Sequence, residues 1–112
     1  MPTKFLYSLK HARIGLKVMF LSERNFRIHL LAAFLAVVLA IWQGISKLEW
    51  LALLLVIALV LILEIVNASV ERLVDMLAPK THHFAKEIKD LLASMVLVAA
   101  ILAILVAALI FF

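Results

Sequence analysis

Four polar side chains share one helix face at the end of a segment that is otherwise apolar enough for a bilayer. They are Glu64, Asn67, Glu71 and Asp75, at i, i+3, i+7 and i+11. At about 100° per residue they fall within roughly an 80° arc. Three carboxyl groups and an amide are costly beside hydrocarbon, so we expect this polar stripe to face protein or water and to form a functional site.

Glu64 is the member of the polar stripe nearest the apolar segment. It lies about 24 Å along the predicted helix from Leu48, near one edge of the bilayer. Burial near lipid disfavours the charged form of a carboxyl group, which suits Glu64 to accept a proton from a hydroxyl group. The alternative is a neutral acid that hydrogen-bonds a neighbouring helix.

Two further carboxylates have the chemistry of a magnesium site. Glu71 lies two helical turns beyond Glu64, and Glu23 stands at a comparable depth just before the first apolar segment. Hard oxygen ligands with several retained waters are what Mg²⁺ prefers beside a nucleotide. Either glutamate could equally form a salt bridge with Arg24, Arg27 or Arg72.

Other polar residues could contact a substrate. Lys89 and Asp90 are predicted to open the third spanning helix, near enough to the polar stripe to contact a phosphate and a sugar or base. His82 is either solvated in a loop or stacked on a base. His29, at the mouth of the first span, could serve helix-to-helix hydrogen bonding or recognition of a lipid headgroup.

The composition identifies the class of protein that must position these residues. The chain has 112 residues, of which 68% are hydrophobic, and a mean hydropathy of +1.23, which is too apolar for a soluble domain of this size. We predict an all-α fold with residues 1–112 as one integral membrane domain. Its predicted elements are an amphipathic surface helix at 4–21 and transmembrane spans at 30–45, 48–66 and 91–112.

Missing motifs narrow the chemistry. The chain has no cysteine, which excludes disulfides and thiolate catalysis, and it has only two glycines. No glycine-rich phosphate loop and no H-E-x-x-H zinc motif occurs. Any nucleotide site must therefore be built from side chains and metal.

The distribution of basic residues orients the chain. Of eleven Lys and Arg, six precede the first span, four lie between the second and third, and only Lys47 lies in the other connection. The positive-inside rule therefore predicts a cytoplasmic N-terminus and a cytoplasmic loop at 72–90.

Two helix boundaries are suggested by residue type. Ser22 can cap the start of the first spanning helix. The segment 77–84, which contains Pro79 and Thr81, is predicted to break the second spanning helix and to form the cytoplasmic loop.

The run from Glu64 to Asp75, EIVNASVERLVD, resembles the signature of the prokaryotic diacylglycerol kinase and undecaprenol kinase family, E-x-x-N-[ST/A]-[SA]-x-E-x-x-V-D. Other stretches are similar to recurring parts of that family. They are residues 15–17 in the surface helix, 23–27 before the first span, and 85–90.

The resemblance implies a small integral membrane kinase of the bacterial inner membrane that works as a homotrimer. Such enzymes transfer the γ-phosphoryl group of MgATP to a lipid hydroxyl, with Mg²⁺ as cofactor and no nucleic acid as partner. By position, Glu64 matches the general base, and Glu23 and Glu71 match the carboxylates that bridge metal and phosphate. The matching nucleotide-site positions are Asn67, His82, Lys89 and Asp90.

His29 bears on the lipid substrate. In the family, the diacylglycerol-specific branch tends to carry a carboxylate here, and the branch that uses undecaprenol tends to carry histidine. The resemblance thus favours undecaprenol as the substrate bound near Glu64 and His29, with diacylglycerol as the alternative. Two readings from other classes are a proton-coupled exporter of lipophilic cations and a non-catalytic assembly subunit.

Overall fold

The computed structural model of the chain describes residues 2–78 and 82–112. Four helices follow one another: α1 (Pro2–Ser22), α2 (Arg24–Gln43), α3 (Lys47–Leu77) and α4 (His83–Phe111). The described ranges contain no strand, and α2, α3 and α4 are each long and apolar enough to cross a membrane. The predicted all-α fold, with three spanning helices after an N-terminal helix, is confirmed.

The helices extend beyond the apolar segments from which the spans were predicted. α3 continues past residue 66 to Leu77, so the whole polar stripe belongs to one helix. Neither glycine nor proline interrupts this stretch, and α3 stops beside Ala78, whose extended backbone suits a residue that precedes proline. Pro79 and Thr81, the predicted helix breakers, lie outside the described residues.

α4 begins earlier than predicted. It starts at His83, so Lys89 and Asp90 lie inside the helix and do not open it. The prediction followed the onset of the apolar run. The residues from 83 to 90 contain no helix breaker, and the helix therefore forms before the hydrophobic segment does.

A tight turn connects α2 to α3. Gly44 has φ 66°, a left-handed conformation that glycine adopts without steric cost, and its N–H donates to the Ala40 carbonyl at 2.9 Å. Ser46 then caps α3: its Oγ accepts from the Glu49 N–H at 3.2 Å, and its own N–H donates to Glu49 Oε1 at 3.0 Å. This reciprocal pair is a capping box, which fixes where α3 begins.

The junction between α1 and α2 differs from the prediction that Ser22 caps α2. Glu23 holds the N-cap position, without a side-chain cap bond. Ser22 Oγ donates instead to the Val18 carbonyl at 2.6 Å, because α1 continues through Ser22 and offers that acceptor one turn back. Arg27 Nη1 reaches back to the Phe20 carbonyl at 2.7 Å, which ties the end of α1 to the start of α2.

α3 is the central helix of the chain, and it packs most extensively against α4. Its buried side chains recur every three or four residues, as expected of one helix face: Leu53, Val56, Val60, Glu64 and Ala68. A small cluster of Met19, Phe26 and Ala68 joins α1, α2 and α3. Glu64 therefore continues an apolar buried face and does not lie apart from it.

Candidate active site

The interhelical polar contacts of the described residues gather where α2 begins, α3 ends and α4 begins. We call this region the polar end, formed by residues 22–29, 64–77 and 82–90. The N-terminal part of α2 contacts α3 at two levels, and α4 contacts α3 near its last turn. The three helices thus bring side chains from distant parts of the sequence to one end of the bundle.

The deepest contact at the polar end joins His29 to Glu64. His29 Nδ1 lies 2.7 Å from Glu64 Oε1, which is ion-pair distance, although neither atom completes a hydrogen bond of regular geometry. Glu64 is only 3% exposed, whereas the side chain of His29 is 26% exposed. The carboxyl group is therefore shielded from water, whereas part of the His29 side chain is exposed.

An apolar cavity adjoins this pair. It has a volume of about 280 Å³ and lies between α2, α3 and α4, with alanines of α2 and α4 leaving the space that α3 does not fill. Among the described residues that line it, His29 is the only polar one. The cavity can accept a hydrocarbon chain whose polar end reaches His29.

The next level of the polar end is built around Arg72. Its Nη1 lies 3.2 Å from Glu23 Oε1 and 3.2 Å from the Ala68 carbonyl, and its Nη2 donates to Ser22 Oγ at 2.9 Å. Of the alternatives for Glu23, the salt bridge to Arg72 is the one that the structure forms. The guanidinium thereby fastens α3 to the junction between α1 and α2.

The outermost level joins α3 to α4. Lys89 Nζ lies 2.6 Å from Asp75 Oδ1, so a lysine predicted at the nucleotide contacts the polar stripe directly. The Glu71 carboxylate also attracts the Lys89 ammonium group electrostatically. The Glu71 side chain has no hydrogen bond or ion pair within the described residues. Asp90 pairs with Lys86 at 3.0 Å and does not join the stripe.

The remaining predicted residues have mixed surroundings. The Oδ1 atom of Asn67 is buried without a hydrogen-bond partner in the described part of the chain. His82 holds the N-cap of α4, where its Nδ1 accepts from the Phe84 N–H at 3.2 Å, and it remains exposed. No group of three His, Cys, Asp or Glu side chains suited to a metal ion occurs among residues 2–78 and 82–112.

From the sequence, Arg72 is one of three arginines that could pair with a glutamate, and no residue pattern predicts its contact with Ser22. The available signal was weak: an arginine follows Glu71 directly and projects from a different side of the same helix. Only the packing of the α1–α2 junction against α3 shows what that side meets.

Comparison with known proteins identifies the family of the chain. Residues 10–111 match the family model described as prokaryotic diacylglycerol kinase. The chain is 33% identical to an undecaprenol kinase of Bacillus subtilis, over 96% of this chain and 88% of the relative. It is 30% identical to a diacylglycerol kinase of Escherichia coli K12, over 92% and 84%, and 35% identical to a diacylglycerol kinase of Synechocystis, over 90% and 58%. The chain therefore belongs to the prokaryotic diacylglycerol kinase family and is an ATP-dependent lipid kinase with several membrane-spanning helices.

Proposed function

We propose that this kinase transfers the γ-phosphoryl group of MgATP to the hydroxyl group of undecaprenol. The observation that carries the proposal is the buried Glu64 carboxyl group, which lies 2.7 Å from His29. His29 in turn lines an apolar cavity between the spanning helices. A lipid alcohol lying in this cavity with its hydroxyl end at His29 would bring that hydroxyl group close to the Glu64 carboxyl group.

Glu64 acts as the general base in this scheme. It accepts or orients the proton of the lipid hydroxyl while the hydroxyl oxygen attacks the γ-phosphorus. The bond from that phosphorus to the β–γ bridging oxygen breaks, and ADP leaves. His29, at 2.7 Å, holds the carboxyl group in place. Catalysis of this kind consists mostly of positioning and electrostatics, so a buried and oriented carboxyl group is well suited to it.

Glu71 and Glu23 are the proposed holders of Mg²⁺. The Glu71 side chain has no hydrogen bond or ion pair within the described residues, and Glu23 contacts Arg72 through one oxygen, Oε1. Mg²⁺ is usually bound through one or two carboxylates together with waters and substrate phosphates, so two glutamates without a third fit it. When bound, the ion neutralises charge on the β- and γ-phosphates.

Other residues complete the nucleotide site in this proposal. Lys89, oriented by its 2.6 Å contact with Asp75, adds a positive contact for phosphate. The Asn67 amide, whose Oδ1 lacks a partner in the described part of the chain, together with His82 and Asp90, contacts the sugar or base.

The preference for undecaprenol rests on the polarity around His29. Diacylglycerol carries two ester groups beside its hydroxyl, and these need polar neighbours when they leave water. Undecaprenol carries a single hydroxyl at the end of a hydrocarbon chain. A cavity in which His29 is the only polar lining residue among those described suits the second molecule better. The family resemblance at position 29 points the same way.

We also propose that the polar end faces the cytoplasm, at the inner membrane, and that the enzyme is a homotrimer. The concentration of lysine and arginine before α2 and between α3 and α4 supports this orientation. Assembly is supported by how little of α4 a single chain covers. Only 6% of the most apolar 18 residues of α4 is buried within the chain, which leaves much surface for lipid or for neighbouring copies.

The decisive experiment uses the purified full chain in lipid vesicles with radiolabelled ATP and Mg²⁺. Undecaprenol and diacylglycerol are supplied side by side, and the labelled lipids are separated. We expect label on undecaprenol with the higher kcat/KM. Preferential labelling of diacylglycerol refutes the substrate assignment. The family assignment already decides against the exporter and the non-catalytic assembly subunit.

A further inference from the structure

Arg72 lies at the meeting point of the proposed metal site and the junction between α1 and α2. Its guanidinium contacts Glu23 Oε1 at 3.2 Å and Ser22 Oγ at 2.9 Å, and the Ala68 carbonyl holds it near its own helix. It thus brings a positive charge to the carboxylate that the proposed function gives to Mg²⁺. A cation that binds Glu23 must either share this carboxylate or displace the arginine.

The Arg72–Glu23 pair can open at low cost. The side chain of Arg72 is 47% exposed and that of Glu23 is 31% exposed, so water screens their attraction. Ion pairs of this exposure contribute little to stability. The contact with the Ala68 carbonyl involves the same helix and can persist when the Glu23 contact is lost. An arginine released in this way remains close to Glu23 and presents several N–H donors to a new anion.

We propose that Arg72 and the divalent cation compete for Glu23, and that the guanidinium displaced by the cation contacts the nucleotide phosphates. The inference rests on the proposed role of Glu23 in metal binding. Metal that displaces Arg72 in the absence of nucleotide breaks the Arg72–Glu23 pair without compensation. Metal with nucleotide provides Arg72 with a new anionic partner, so the two ligands bind cooperatively.

The test measures binding as well as turnover. Mn²⁺ binding to the full chain in lipid nanodiscs is followed by electron paramagnetic resonance, with and without a non-hydrolysable ATP analogue. In Arg72→Ala the competitor is gone, so we expect Mn²⁺ alone to bind about two- to fivefold more tightly, the range for exposed ion pairs. The factor by which the analogue tightens Mn²⁺ binding should be smaller in Arg72→Ala than in the wild type. KM for MgATP should rise about tenfold, because a charge-assisted contact with phosphate is lost.

Arg72→Lys separates charge from geometry. A lysine keeps a positive charge near Glu23 but cannot donate from a planar fork to two partners at once. Compared with Arg72→Ala, we expect Arg72→Lys to restore weak binding of Mn²⁺ alone. It should recover only part of the tightening of Mn²⁺ binding by the ATP analogue.

Arg27→Ala is the matched control for loosening of the α1–α2 junction. Arg27 donates to the carbonyls of Phe20 and Leu21, and none of its hydrogen bonds goes to a carboxylate. This variant should lower Tm without changing the affinity for Mn²⁺. If Arg72→Ala also leaves Mn²⁺ affinity unchanged or weakens it, Arg72 is only a tether and the inference fails. Wild-type protein that does not phosphorylate undecaprenol refutes the proposed function, a result distinct from the Mn²⁺ measurement.

Discussion

Replacing Glu64 by glutamine tests the proposed chemistry most directly. Glutamine keeps the shape of the side chain but cannot accept the hydroxyl proton. A positioned general base contributes about 10²- to 10⁴-fold to rate, so we expect kcat for lipid phosphorylation to fall by that factor. KM for MgATP should change little, because the contact of Glu64 that the structure shows is with His29.

The structure also indicates how the fold responds to this substitution. Removing one member of a buried ion pair costs about 3–5 kcal/mol when the remaining charge stays buried and unpaired. Here the remaining partner is His29, whose side chain is 26% exposed and is therefore not left fully buried. The loss of stability should therefore stay near or below about 1 kcal/mol, within the range of ordinary substitutions. Loss of activity can then be distinguished from loss of fold.

The assay measures transfer of label from ATP to undecaprenol in vesicles, beside thermal unfolding of the same samples. Glu49→Gln is the matched control, since it makes the same change on the same helix at the opposite end, where Glu49 completes the capping box of Ser46. That variant should retain its kcat. A folded Glu64→Gln protein that keeps more than about a tenth of wild-type kcat would show that Glu64 is not the base.

Three further predictions address separate parts of the molecule. His29→Phe removes the ring that orients Glu64, so kcat should fall by about 10- to 100-fold with KM for MgATP unchanged; an unaltered kcat would reduce His29 to a packing residue. Asp75→Asn weakens the 2.6 Å contact with Lys89 and should raise KM for MgATP roughly two- to fivefold, and a change confined to the lipid KM would contradict that reason. Gly44→Ala forces alanine to φ 66° and should destabilise the chain by about 1–2 kcal/mol without altering kcat at low temperature; equal unfolding temperatures would disprove the strain.

Much of the fold could be predicted from hydropathy and charge, because three long apolar segments leave few alternatives to a three-span membrane protein. The single-face spacing of the polar stripe also follows from the helical period, and Glu64 lies on the buried face of α3 as that period requires. The helix ends were less predictable. Hydropathy marks where side chains become apolar, whereas the hydrogen-bonded backbone of α3 and α4 continues through polar residues until a helix breaker intervenes.

The partners of the site residues could not be predicted in the same way. Periodicity identifies the face on which Glu64 lies, but the residue opposite depends on how α2 is rotated and shifted against α3. The sequence therefore allowed His29 either a contact with another helix or a contact with lipid. In the structure His29 contacts Glu64 and also lines the cavity. The assignment of Ser22 as a cap failed for a related reason: its hydroxyl had a competing acceptor in the last turn of α1.

The length of α3 has a consequence for the membrane in which the chain works. Its 31 residues measure about 46 Å at 1.5 Å per residue, whereas the acyl region of a typical bilayer is about 30 Å thick. The surplus of about 16 Å can be accommodated by tilting or by protrusion of the last turns beyond the acyl chains. A thicker bilayer draws Glu71 and Asp75 toward the headgroups, and a thinner one leaves them in water. Hydrophobic mismatch should thus modulate phosphorylation, with acyl-chain length acting as a physical control on the enzyme.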